Sequence, residues 1–105
     1  MTRVVELHVT CPDEDTAASL ARAALKARLA ACANISGPVR SLFHWQGRIE
    51  EEGEVVLALK TRRGCVADLV ELIRTRHPYD LPAITWTGVE AEPDTAAWIR
   101  DETGG

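Results

Sequence analysis

The chain alternates between two hydrophobic periods. In VVELHVTC (residues 4–11), Val5, Leu7 and Val9 share one side while Glu6, His8 and Thr10 share the other. That two-residue period predicts a strand with one apolar face. Pro12-Asp13 punctuates it, and Asp13 is a candidate helix N-cap. From Asp15 to about Cys32 the apolar positions fall at helical spacing: Ala17, Leu20, Ala21, Ala24 and Leu25, then Leu29 and Cys32. The alanines favour helix there. Ala31 to Ile35 reads as a short extended piece, closed by a loop or bulge at Ser36-Gly37-Pro38.

A long alternating run follows, VRSLFHWQGRIEEEGEVVLALKT. Phe43, Trp45 and Ile49 share one parity, and Val55, Leu57 and Leu59 oppose Glu54, Val56, Ala58 and Lys60. This predicts a hairpin turning near Glu51 to Gly53. Residues 65–77 return to the helical period through Val66, Leu69, Val70, Ile73 and His77, and Pro78 stops that helix. ITWTGVE (84–90) is a last strand, and Pro93 to Asp101 a C-terminal helix through Ala97 and Trp98. The order β-α-β-β-α-β with an appended helix describes an α+β, ferredoxin-like sandwich: two helices on one face of a four-stranded antiparallel sheet. No linker divides it, so residues 1–105 are expected to form a single domain. The sheet face away from the helices and the edges of so long a hairpin need cover, which predicts self-association.

Composition narrows the class. The apolar content is 46% and the net charge −4, with no Lys/Arg cluster. A nucleic-acid partner is therefore not expected. No apolar run nears the ~20 residues of a membrane span, and MTRVVELHV lacks signal-peptide architecture. Cys11, Cys32 and Cys65 make neither a disulfide framework nor a CxxC pattern. Three free thiols fit a reducing compartment, so a cytoplasmic location is expected.

Four blocks carry a family resemblance: VTCPDEDTA, ARLAACANI, SLFHWQGRIEEEGEVVLALKT and HPYDLPAI. The chain resembles the CutA1 family of divalent-cation tolerance proteins from about Val4 to Ile99. The resemblance rests on Leu29-Ala30-Ala31-Cys32-Ala33-Asn34, then Phe43-His44-Trp45-Gln46-Gly47 with Glu54 and Lys60-Thr61, then His77-Pro78-Tyr79-Asp80-Leu81-Pro82. It implies a compact trimer like that of the PII signalling proteins, with the hairpins extending neighbouring sheets. It also implies a role in tolerance of copper or other divalent metals, and no defined reaction. The chain departs from the family pattern at Val9, Arg76 and Ala83, where some members carry Cys, His and Glu. Of such a ligand set, only His77 remains.

The candidate chemistry is accordingly sparse. His77, His8, His44, Cys11 and Cys32 are candidate ligands for copper or zinc, and His77 equally suits a helix C-terminus, near the negative end of the dipole. The run Glu50 to Glu54 reads as a solvated hairpin tip. Glu54, if desolvated, seeks a cation, either Lys60 or a bound metal. Tyr79 and Asp80, between prolines, are cleft candidates. Trp45 and Trp86 are expected to pack an interface. The leading expectation is a cytoplasmic, homotrimeric, non-enzymatic protein of divalent-metal response, binding copper or another divalent cation near His77, Tyr79 and Asp80, with Glu54 or Lys60 supplied by a neighbour. The alternative is a signalling or assembly module whose inter-subunit cleft takes an anion, metabolite or protein partner. A small-molecule hydrolase is a third reading, without a catalytic motif to support it.

Overall fold

The computed structural model describes residues 4–105. Strand β1 (Val4–Cys11) leads to helix α1 (Glu14–Lys26), followed by β2 (Cys32–Trp45) and β3 (Arg48–Arg62). After a short 3-10 turn come α2 (Val66–Arg76), β4 (Ile84–Val89) and α3 (Pro93–Glu102). The four strands form one antiparallel sheet in the order β2-β3-β1-β4. This is the ferredoxin-like order predicted from the periodicity. Leu7, Val9, Cys11, Leu57 and Leu59 from the sheet meet Ala17, Leu20 and Ala24 of α1 and Leu69 and Ile73 of α2, all of them buried. Burial of a Leu- or Ile-sized side chain contributes about 1.5–3 kcal/mol each, so this one layer of contacts holds both helices on the sheet.

The N-cap reading of Asp13 holds: its carboxylate accepts the Thr16 amide at 2.8 Å. That bond, backbone amide to carboxylate, lowers the Asp13 pKa. The far end of α1 differs from expectation. The helix stops at Lys26, six residues short of Cys32, and Arg28 turns the chain back with φ +58°. The physical reason is competition: the Ala31 amide donates to the Lys60 carbonyl at 2.8 Å, and Cys32 and Asn34 pair with Lys60 and Ala58 of β3. Sheet pairing outweighs the helical spacing of Leu29 and Cys32.

The hairpin turn also lies elsewhere than predicted. Gln46 and Gly47 occupy it, with φ +50° and +77°, the left-handed pair a two-residue loop between twisted strands requires. Gly53 sits inside β3 opposite Arg40, and Glu50, Glu51 and Glu52 stand opposite Phe43, Leu42 and Ser41. The acidic run is therefore strand and not tip, and Glu51 and Glu50 pair with Arg40 and Arg48. Moving the turn also separates Trp45, opposite Arg48, from Ile49, opposite His44, onto different faces. In α3, Ile99 is the fully buried residue, and Trp98 faces out.

Pairing between β1 and β3 ends at Cys11 and Val55. Beyond it, residues 39–45 and 48–54 pair only with each other, so about seven residue pairs, roughly 23 Å, project from the sheet. The 44 Å long axis against 24 and 22 Å reflects this arm. Its root is set by a bulge between Ser36 and Val39. Gly37 there has φ +145°, and an added Cβ would stand 3.2 Å from Val55 Cα and 3.3 Å from the Glu54 carbonyl oxygen. Gly37→Ala is expected to lower unfolding free energy by about 1–3 kcal/mol, and Gly47→Ala, which meets open space, by about 1 kcal/mol. Urea unfolding at one protein concentration checks the ranking. An equal or larger loss at Gly47 would contradict the close approach at the bulge.

Candidate functional site

The root of the arm is where three elements end together. α2 runs out at Arg76 and His77 caps it, its amide donating to the Ile73 carbonyl at 2.8 Å. Residues 77–83 then cross to β4, whose first residue, Ile84, pairs with Val9. The His77 ring is buried, with Nε2 2.9 Å from the Thr10 carbonyl oxygen. A carbonyl only accepts, so Nε2 carries the proton and Nδ1 is left with its lone pair. Nδ1 accepts the Tyr79 amide at 3.1 Å. The two rings lie 4.7 Å apart at 55°, a tilted contact typical of aromatic pairs.

These two hydrogen bonds of His77 aim Tyr79 at β3. The phenol donates to Glu54 Oε2 at 2.8 Å, and Glu54 is 6% exposed. Glu54 stands one residue beyond Val55, the last β3 residue paired with β1, beside the bulge at Gly37. Burial raises the Tyr79 pKa well above the ordinary phenol value, and the hydrogen bond and negative charge of Glu54 add to it, with Glu52 and Cys11 behind. Burial likewise pushes the Cys11 thiol up to about 11, reinforced by the charges of Glu54 and Asp13. Both shifts keep the phenol of Tyr79 and the thiol of Cys11 neutral at neutral pH, beside the buried Glu54 side chain.

The other candidates fall elsewhere. Lys60 Nζ lies 3.4 Å from Glu6 Oε1 and 3.4 Å from Asn34 Oδ1, while His8 Nε2 is 3.4 Å from Glu6 Oε2. The expected Glu54–Lys60 pair does not form within the chain, because six residues of strand hold them about 20 Å apart. Asp80 and His44 are exposed. Trp45, near the arm tip, and Trp86, on edge strand β4, keep 38% and 47% of their surface open. Cys65 is buried against α3, its thiol 3.6 Å from the Thr103 carbonyl. An open groove of about 350 Å³ borders the outer side of the loop, lined by Asp15, Thr16, Ser19, Leu20, Arg76 and Pro78. The Thr10 carbonyl had no sequence signal, being backbone. Cys11 had one: it continues the apolar parity of Val5, Leu7 and Val9 to the strand end.

A tight transition-metal site recruits several N or S donors. Here both His77 nitrogens are committed, and Cys11 is a thiol where a ligand must be a thiolate. Among the described residues no three His, Cys, Asp or Glu side chains converge. The donors of a single chain, as they stand, do not fit such a site. Among those residues no helix is long and apolar enough to cross a membrane.

The molecule is thus an antiparallel α+β sandwich of ferredoxin-like topology, with a projecting hairpin and the Glu54–Tyr79–His77 junction at its root. Solved structures share this fold across nearly their whole length. CutA1 of Thermus thermophilus matches with a TM-score of 0.91 at 35% identity, covering 99% of this chain and 100% of that one. CutA1 of Ehrlichia chaffeensis matches at 0.92 and 31%, covering 98% and 97%. The profile of the CutA1 divalent ion tolerance protein family spans residues 5–102, and the chain belongs to that family. Among curated relatives, the divalent-cation tolerance protein CutA of Pyrococcus horikoshii is 39% identical, over 95% of this chain and 98% of its own. Mouse CutA is 38% identical over 90% of this chain, which spans about half (54%) of the mouse protein.

The raised thiol and phenol pKa values have a consequence with a definite sign. Both groups are held neutral by the fold, so their contribution is complete below their ordinary values and lost as pH rises through the folded ones. For Cys11 the window runs from 9.0 to about 11. Thermal unfolding should show falling stability across that window, and Cys11→Ala should remove part of the fall. An unchanged alkaline profile in Cys11→Ala would contradict the burial of that thiol beside Glu54.

Proposed function

We propose that the protein is a homotrimeric, cytoplasmic, divalent-cation response protein that binds its cation at the root of the arm and catalyses no reaction. The observation that carries this reading is Glu54, a carboxylate buried with one neutral hydrogen-bond partner. Such a group favours a cation, and family membership in divalent ion tolerance supplies its class. Assembly is supported by the arm. Leu42, Phe43, Trp45 and Ile49 keep between 38% and 72% of their surface open, on both faces of a ribbon without edge partners. Apolar ribbons of this kind are normally covered by another chain. A neighbouring subunit would bring the further ligands the single chain lacks, beside Tyr79, Asp80 and His77 as this chain's candidates near Glu54, while a neighbour's Lys60 would pair with the Glu54 charge in place of a metal. Copper, which suits imidazole nitrogen, would need His77 released from Thr10 or Tyr79.

The commitment of both His77 nitrogens favours one second reading: a signalling or assembly module whose cleft takes an anion, metabolite or protein partner, with metal incidental. Two measurements separate these. Sedimentation equilibrium is expected to give three times the 11.5 kDa chain mass, and a stable monomer would contradict the assembly. Calorimetric titration with Cu(II) and Zn(II) is expected to weaken about tenfold, or ~1.4 kcal/mol, in Glu54→Gln. Affinities unchanged by both Glu54→Gln and His77→Ala would transfer the case to the signalling module.

A further inference from the structure

The two helices that cover the sheet bring opposite ends together. α1 begins at Glu14, just after β1, and α2 ends at Arg76, whose neighbour His77 bonds to Thr10 of β1. Each helix end carries the charge that suits its dipole: Asp15 in the first turn of α1, Arg76 in the last turn of α2. The groove of about 350 Å³ lies between them, completed by Thr16, Ser19, Leu20 and Pro78. We propose that this groove binds a small zwitterion, an α-amino acid with a short aliphatic side chain.

The charges carry the argument. Among the described residues, Asp15 and Arg76 form no ion pair with each other or with any other group. Both signs are therefore open to a ligand that bears both. An α-carboxylate matches the guanidinium fork, and an α-ammonium matches the Asp15 carboxylate. A ligand of one sign meets one partner and one like charge: Asp15 opposes a phosphate, and Arg76 opposes a metal cation or a polyamine. The end of α1 is not itself the donor, because the Asp13 carboxylate already takes the Thr16 amide. The wall between the charged ends is apolar, with buried Leu20 and the Pro78 ring to receive an aliphatic side chain. Its volume is at the small end of ligand pockets, roughly 300–1,000 Å³, which favours a metabolite of amino-acid size over a nucleotide. The groove shares no residue with the His77–Tyr79–Glu54 junction, so it stands independently of any cation there.

The probe is L-valine, titrated into the isotope-labelled full chain while amide and guanidinium resonances are followed. Two fragments bracket it: isovalerate, which lacks the ammonium, and isobutylamine, which lacks the carboxylate. L-Valine should shift the Thr16, Ser19 and Leu20 amides and the Arg76 Nε–H, and each fragment should bind roughly tenfold more weakly. Asp15 and Arg76 are exposed, so Asp15→Asn and Arg76→Gln should keep the fold, which the remaining amides check. Asp15→Asn should lower L-valine to the affinity of isovalerate, and Arg76→Gln to that of isobutylamine. If isovalerate binds wild type as tightly as L-valine, the groove takes anions and the proposal is overturned. L-Valine binding unchanged in both variants, or no localised shift through the millimolar range, overturns it as well.

Discussion

One imidazole holds the junction together. His77 donates from Nε2 to the Thr10 carbonyl and accepts at Nδ1 from the Tyr79 amide, so a single buried ring closes helix α2, seals the end of β1 and sets the direction of the following loop. Only the neutral ring with its proton on Nε2 can make both bonds. Everything at the candidate site follows from that choice. The loop direction places the Tyr79 phenol on Glu54, and the phenol keeps Glu54 from facing bulk water alone. Substituting the ring would therefore disturb the site through the loop, even where no ligand touches His77.

Glu54 is held from the other side by backbone geometry. The bulge at Gly37 brings β2 within van der Waals reach of β3 at Glu54 and Val55, at the point where β1 stops pairing. The arm and the site thus share a root. Any chain covering the apolar ribbon would lie next to the surroundings of Glu54. The polar set of Lys60, Glu6, His8 and Asn34 lies further along the sheet and is internally paired. It satisfies a face that the core helices leave uncovered.

Much of this was legible in the chain, for identifiable reasons. The four strands and three helices follow from period, because burial on one face forces alternation in strands and helical spacing in helices. His77 as the end of α2 was readable from Pro78. What escaped depended on partners distant in sequence. The spacing of Leu29 and Cys32 suits a helix until Lys60 offers a strand to pair with. Gly53 resembles a turn glycine until Gln46-Gly47, equally adjacent to alternation, takes the turn. Glu54 and Tyr79 are 25 positions apart, and no local pattern joins them; charge complementarity suggested Lys60, which strand geometry excludes. The Thr10 carbonyl, being backbone, could not be singled out by residue type at all.

The tautomer and engagement of His77 set the whole junction. Long-range proton–nitrogen correlation spectra on the full chain read them directly, resolving His77 from His8 and His44. The structure predicts a neutral His77 with Nε2 protonated, Nδ1 bare, and an Nε2 proton protected from exchange with solvent. A His77 protonated at Nδ1, or averaging between tautomers as an exposed imidazole does, would contradict the claim that this ring fixes the loop and, through it, the pairing of Tyr79 with Glu54.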